Sequence, residues 1–158
     1  MAKDDGLAEI IKRGGIHRNI PGTTPEEVLT GLVGLLPLLP STPADTLLQA
    51  ILEREALMPT GIGRGIALPH PRNPVIPPEG EQFAVLAFLE KPVDWNALDG
   101  EKVDTLFLVV STSAKQHLST LAELSFLCRQ EDFYTLLKEK KDFEELLAFI
   151  KEAEKRWK

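Results

Sequence analysis

Two periodicities of hydrophobic residues divide the chain into strands and helices. FAVLAFL (83–89) and TLFLVV (105–110) are short, nearly continuous apolar runs, which are typical of strands buried on both faces of a sheet. The segment from Gly65 to Leu68 is short and rich in apolar residues, and it predicts a third strand. Elsewhere the apolar residues recur three or four positions apart, which indicates helices.

The first of these helices is indicated by the residues at its start and end. Thr24 is a suitable N-cap, and Pro25 fits the first helical position. Glu27 is an acid whose side chain can form a hydrogen bond back to the N-cap residue. Pro37 ends the helix, because proline has no amide hydrogen to donate in a helix interior. The apolar residues between these points are Val28, Leu29, Leu32, Val33 and Leu36.

Three more helices are predicted further along the chain. Thr42 and Pro43 repeat the N-terminal signal, and Ser113 with Gln116 forms a capping box. A charged background with one apolar stripe predicts an amphipathic helix at the C-terminus. The stripes of these helices are Leu47, Leu48, Ile51 and Leu52, then Leu121, Leu124 and Cys128, and finally Phe143, Leu147 and Ile150.

Composition narrows the class of protein. A chain of 158 residues with 43% hydrophobic residues fits one globular domain with a substantial core. The net charge of −6 argues against nucleic-acid binding, which usually needs a basic face. Cys128 is the only cysteine, so we expect a reducing cytoplasm. The chain has neither an apolar run of membrane-spanning length nor a secretory signal, so we expect no membrane insertion.

Candidate chemistry is concentrated in TGIGRGIALPH (60–70). Here a glycine-rich loop precedes a β-prone run that ends in His70, between two prolines. Glycines allow backbone amides to turn toward an anion, which makes a phosphate site of Thr60, Gly61, Gly63 and Gly65 one interpretation. Turn formation alone explains the glycines equally well.

His70 is suited to carry a phosphoryl group on a ring nitrogen. Its unperturbed pKa is about 6.5, so the imidazole is available in its neutral form near pH 7. Pro71 favours extended backbone at His70, which would present the ring at a strand end. The alternative is a histidine that only packs within a loop.

His117 and Arg54 are the other candidates for this site. His117 falls at the end of the first turn of its helix, where it could donate a hydrogen bond to a phosphohistidine; a partly buried structural histidine is the alternative. The guanidinium of Arg54 could bind phosphate oxygens, or it could simply pair with Glu55 at the surface. His17 is expected in a surface loop.

Four blocks together resemble one known family. They are LLQAILEREAL before the glycine loop, TGIGRGIALPH, VDWNALDG (93–100) and HLSTLAELSFL from His117. In this order they resemble the enzyme IIA domain of the fructose–mannitol and nitrogen-regulatory class of the bacterial phosphotransferase system, from about Leu7 to Ile150. The resemblance implies a single α/β domain over residues 1–158, with a mixed β-sheet flanked by helices and with neither metal nor organic cofactor.

The resemblance also implies roles for individual residues. His70 would take phosphate from a small histidine phosphocarrier protein, His117 would be the second active-site histidine, and Arg54 would be the nearby cation. Two positions depart from the family pattern, since Pro59 stands where serine is common and Arg72 follows Pro71 where many members have glycine after the histidine.

Three functions remain to be compared. The leading one is phosphotransfer through His70, onward to an enzyme IIB protein if the chain serves sugar transport. The second is a regulatory binding module whose phosphorylation controls contact with a transporter, a kinase or another target. The third is a domain that binds without transferring, which the presence of His70, His117 and Arg54 together disfavours.

Overall fold

A computed structural model describes residues 6–38, 42–77, 80–140 and 142–157. Over these ranges the chain forms six helices and five strands. The helices are α1 (Leu7–Gly14), α2 (Pro25–Gly34), α3 (Ala44–Leu57), α4 (Ala114–Cys128), α5 (Glu131–Lys138) and α6 (Phe143–Trp157). The strands are β1 (Ile16–Ile20), β2 (Gly61–Gly63), β3 (Ile66–Ala67), β4 (Phe83–Val93) and β5 (Val103–Val110).

The strands form one mixed sheet in the order β1-β4-β5-β3-β2. The two long strands, β4 and β5, are antiparallel neighbours at its centre. β1 joins β4 in parallel, and β3 joins β5 in parallel. β2 is antiparallel to β3 at the edge, so the glycine-rich segment is a β-hairpin. The predicted mixed β-sheet flanked by helices is confirmed.

Successive residues of the central strands enter two separate cores. Leu86 and Phe107 point to one face, where they pack with apolar residues of α1, α4, α5 and α6. Val85 and Leu108 point to the other face, which α2 and α3 cover. The side-chain alternation along a strand therefore explains why the two apolar runs lack polar residues, since both faces of the sheet are buried.

The helix starts were predicted well at two positions. The hydroxyl of Thr24 accepts a hydrogen bond from the Glu27 amide, and Ser113 accepts one from the Gln116 amide. The prediction of Thr42 as an N-cap was wrong: α3 begins at Ala44, and Pro43 occupies the cap position without a capping side chain.

Several elements were not predicted, namely α1, β1, β2 and α5. His17 lies in β1 opposite Ala87 and is half-buried, so its assignment to a surface loop was wrong. The expected domain over residues 1–158 includes residues 1–5 and 158, which lie outside the described residues. No helix in the described ranges has both the length and the apolar character required to span a bilayer.

Candidate functional site

His70 lies just beyond the end of β3, fixed by the backbone on both sides. The Pro69 carbonyl accepts a hydrogen bond from the Val109 amide at 3.0 Å, which attaches this segment to β5. The residue is 7% exposed, and its Nδ1 lies 2.7 Å from the carbonyl oxygen of Leu68. These contacts hold the ring in one orientation at the edge of the core.

The contact with Leu68 determines which ring nitrogen of His70 is free. A carbonyl oxygen only accepts hydrogen bonds, so Nδ1 must carry the proton. In a neutral imidazole the lone pair is then on Nε2. The nitrogen of His70 with an available lone pair is therefore Nε2.

His117 lies beside His70. It is in the first turn of α4, where its amide donates to the Ser113 carbonyl at 3.0 Å. The two imidazole centroids are 4.5 Å apart, with the ring planes inclined at 56°. The N-cap at Ser113 thus starts the helix at the position that brings His117 to His70.

Both histidines favour the neutral form. Burial lowers the pKa of His70, the Leu68 hydrogen bond opposes that shift, and the charge of Arg54 lowers the pKa further. Burial, His70 and Arg54 together lower the pKa of His117 to about 4. The rings therefore stay uncharged at neutral pH, and Arg54 acts on both.

Arg54 and Glu55 are adjacent in the last part of α3 but have different partners. Arg54 Nη1 donates to the Met58 carbonyl at 2.7 Å. Glu55 accepts hydrogen bonds from the amide and hydroxyl of Thr60 at 2.7 and 2.6 Å. The suggested pairing of Arg54 with Glu55 is not seen among the described contacts, and the hydroxyl of Thr60 is already engaged by Glu55.

The structure does not bring all the predicted glycines to His70. Gly61 pairs with Ala67 near the end of the hairpin that leads to His70, whereas Gly63 pairs with Ile66 and Gly65 precedes β3. Gly63 and Gly65 have φ of 96° and 83°, which turns require and glycine accommodates. The turn therefore accounts for Gly63 and Gly65, and phosphate binding by Thr60, Gly61, Gly63 and Gly65 stays a prediction.

The turn of the hairpin is fixed by side chains elsewhere. The Arg64 amide donates to the Asp99 carboxylate at 2.9 Å, and the Arg64 guanidinium lies 3.6 Å from the Tyr134 ring centroid. Trp95 is buried and its Nε1 donates to the Thr60 hydroxyl at 3.4 Å. The segment around Trp95 and Asp99 therefore supports both ends of the hairpin.

The sequence did not indicate two features of the site. The Leu68 carbonyl orients His70, but a backbone acceptor leaves no mark on residue identity. The carboxylate of Glu55 holds Thr60 at the start of the hairpin that leads to His70, and the sequence pattern gave no signal for this contact. Among the described residues, no group of three or more His, Cys, Asp or Glu side chains is placed to hold a metal ion.

The sequence and the fold match one known class of proteins. Residues 9–153 match the family model described as phosphoenolpyruvate-dependent sugar phosphotransferase system, EIIA 2. The chain therefore belongs to this enzyme IIA family of the phosphotransferase system.

Individual relatives refine the comparison. A nitrogen regulatory protein of Pseudomonas aeruginosa is 35% identical over 131 residues, which are 80% of this chain and 82% of the relative. The structure of nitrogen regulatory protein IIA-Ntr from Neisseria meningitidis superposes with a TM-score of 0.76 at 23% identity, covering 91% of this chain and 98% of that one. Mannitol enzyme IIA from Escherichia coli, in complex with phosphorylated enzyme IIB, gives 0.65 at 19% identity, covering 85% and 92%.

Proposed function

We propose that His70 accepts a phosphoryl group from a histidine phosphocarrier protein and holds or passes on that group. The observation that carries this proposal is the 2.7 Å contact between His70 Nδ1 and the Leu68 carbonyl, because it leaves Nε2 as the nucleophilic nitrogen. Nε2 forms the new bond to phosphorus as the donor's phosphorus–nitrogen bond breaks, and the donor nitrogen keeps the bonding electron pair. The proton on Nδ1 stays in place throughout.

The neighbouring groups stabilise the charge of the transferred group. Phosphoryl transfer depends mainly on positioning and on stabilising charge on the equatorial oxygens. Arg54 supplies a positive charge that acts on both histidines, as the lowering of their pKa values indicates. His117, with its ring centroid 4.5 Å from that of His70, supplies a hydrogen-bond donor. Because the donor is already a phosphohistidine, the proposal requires neither nucleotide nor metal.

The test is transfer of labelled phosphate from phosphoenolpyruvate through enzyme I and a phosphocarrier. The chain has three histidines, and this provides a matched set of variants. We expect His70→Ala to abolish acid-labile labelling, His117→Ala to slow it, and His17→Ala in β1 to leave it unchanged. Absence of label on the wild type with both sugar-type and nitrogen-type carriers, or label on His70→Ala, would reject His70 as the acceptor.

Two destinations for the phosphoryl group follow from the comparisons. The mannitol relative forms a complex with phosphorylated enzyme IIB, which supports onward transfer to such a protein. The Pseudomonas relative is a nitrogen regulatory protein, which supports a regulatory output on a transporter or kinase in the cytoplasm. Incubating the labelled protein with enzyme IIB proteins tests the first, since label must leave His70. Differential capture of partners by the phosphorylated and unphosphorylated forms tests the second.

A further inference from the structure

A small cavity adjoins the histidine pair. Its volume is about 80 Å³, and it lies between the segment that follows His70 and the start of α4. Ser111, His117 and Arg72 border it, together with Ala114, the first residue of α4. The space is large enough for several water-sized groups.

Ser111 lines this cavity and carries a buried, unsatisfied hydroxyl. The residue is 3% exposed, and its Oγ has no hydrogen-bond partner among the described residues. Buried polar groups without partners are uncommon because they lose their hydration without compensation. A ligand in the cavity that accepts a hydrogen bond would remove this deficit.

The other groups around the cavity favour an anion. Arg72 is exposed beside it, and an arginine offers several donors to phosphate oxygens. Ala114 begins a helix of 15 residues, whose N-terminus attracts negative charge. The described lining holds no carboxylate.

We propose that this cavity, bordered by Ser111, Arg72 and the start of α4, is an oxyanion site that binds phosphate oxygens beside the histidine pair. Two sources have the same chemistry: the phosphoryl group carried by His70, and free inorganic phosphate. The first source rests on the proposed function, whereas the second does not. In both cases Ser111 Oγ donates a hydrogen bond to an oxygen and Arg72 supplies the countercharge.

The first experimental arm uses the unphosphorylated protein. Inorganic phosphate is titrated at constant ionic strength while NMR follows the ring of His117 and the amides of Ser111 and Ala114. We expect a saturable shift in the wild type. Loss of one hydrogen bond to a charged acceptor should weaken binding about tenfold or more in Ser111→Ala, and Arg72→Gln should also weaken it. The matched controls on α4 and at its end, Ser119→Ala and Arg129→Gln, should bind as the wild type does.

The second arm uses phosphorylated protein and distinguishes the two sources. If the phosphoryl group of His70 occupies the cavity, Ser111→Ala and Arg72→Gln change its ³¹P shift and speed its hydrolysis severalfold, while the controls do not. If only free phosphate binds, the first arm alone is positive. Two outcomes would overturn the proposal and leave a hydrated cavity. In one, all variants respond equally in both arms. In the other, the protein does not respond to phosphate and the substitutions leave the hydrolysis rate unchanged. The first arm needs no phosphotransfer. It therefore tests phosphate binding at the cavity even if His70 proves not to accept a phosphoryl group.

Discussion

The carboxylate of Glu55 accepts two hydrogen bonds from Thr60, one from the amide at 2.7 Å and one from the hydroxyl at 2.6 Å. The pair joins the end of α3 to the start of the hairpin that leads to His70. Trp95 also donates to the same hydroxyl. Three segments of the chain therefore meet at the Thr60 side chain.

Replacing Thr60 by valine should destabilise the protein. The substitution keeps the shape of the side chain but removes the donor to Glu55 and the acceptor for Trp95, and we expect a loss of about 1–3 kcal/mol in the free energy of unfolding. Urea denaturation measures this loss. Thr23→Val removes a similar bond to Glu27 at an exposed position, and it is the matched control with a smaller expected effect. Equal losses in the two variants would contradict a special role for Thr60.

Two glycines in helices should respond in opposite ways to replacement by alanine. A Cβ at Gly14 would lie 1.9 Å from the Ala84 carbonyl oxygen, whereas one at Gly31 would meet nothing within 4 Å. We expect Gly14→Ala to cost about 3 kcal/mol or more, because α1 would be forced away from β4. Gly31→Ala should stabilise α2 by about 0.5–1 kcal/mol. Thermal and urea unfolding of the two variants would check both signs.

Stability should fall as the pH is lowered, and His117 should account for part of the loss. Its pKa is about 4 in the folded chain, against an ordinary histidine value of 6.5, so the unfolded chain binds the proton more tightly. The contribution of His117 is present above pH 6.5 and is lost as the pH falls toward 4. Urea denaturation at several pH values should show a weaker dependence in His117→Gln than in the wild type or in His17→Gln. Parallel pH profiles for all three would exclude this contribution.

Phosphorylation of His70 should raise the pKa of His117. A phosphoryl group adds up to two negative charges beside a ring whose pKa burial, His70 and Arg54 now hold low. The opposite charge favours the imidazolium form. NMR titration of the His117 ring in both states gives the shift directly, with His17 as the internal control. A pKa that is unchanged or lower after phosphorylation would place the phosphoryl group away from His117.

Cys128 should resist modification while the protein is folded. Its side chain is buried in α4, and burial raises the pKa of the thiol to about 12, so almost no thiolate forms at neutral pH. We expect thiol reagents to label Cys128 only at the rate at which the chain unfolds. Rapid labelling of the native protein, without loss of structure, would contradict the burial of this residue.

The sequence was most informative where one residue imposes a local geometry. Thr24 and Ser113 cap helices through hydrogen bonds with residues three positions away, so their signals are local and were read correctly. Thr42 carries the same signal, but α3 begins one residue later. The short strand β1 was not predicted, because its five residues pair with the distant β4 and have little apolar periodicity of their own.

The candidate site shows the same distinction. The sequence identified His70, His117 and Arg54 as candidate site residues by their chemistry. The structure places His70 and His117 side by side. The proton position on His70 depends on the Leu68 carbonyl, and the Ser111 hydroxyl matters because it lies in a cavity. Such features arise only from three-dimensional packing, so residue types and spacing could not indicate them.

The attachment of β3 to β5 has a consequence for partly folded molecules. Only two residue pairs define the register of that pairing, and the bond from Val109 to the Pro69 carbonyl extends it to the segment that carries His70. His117 comes from α4, which follows β5 in the chain. A partly folded molecule in which β3 is detached therefore has no paired histidines. Under the proposed mechanism, phosphorylation would depend on the assembly of β3, β5 and α4, and a chain in which β3 is detached would stay outside the phosphate relay.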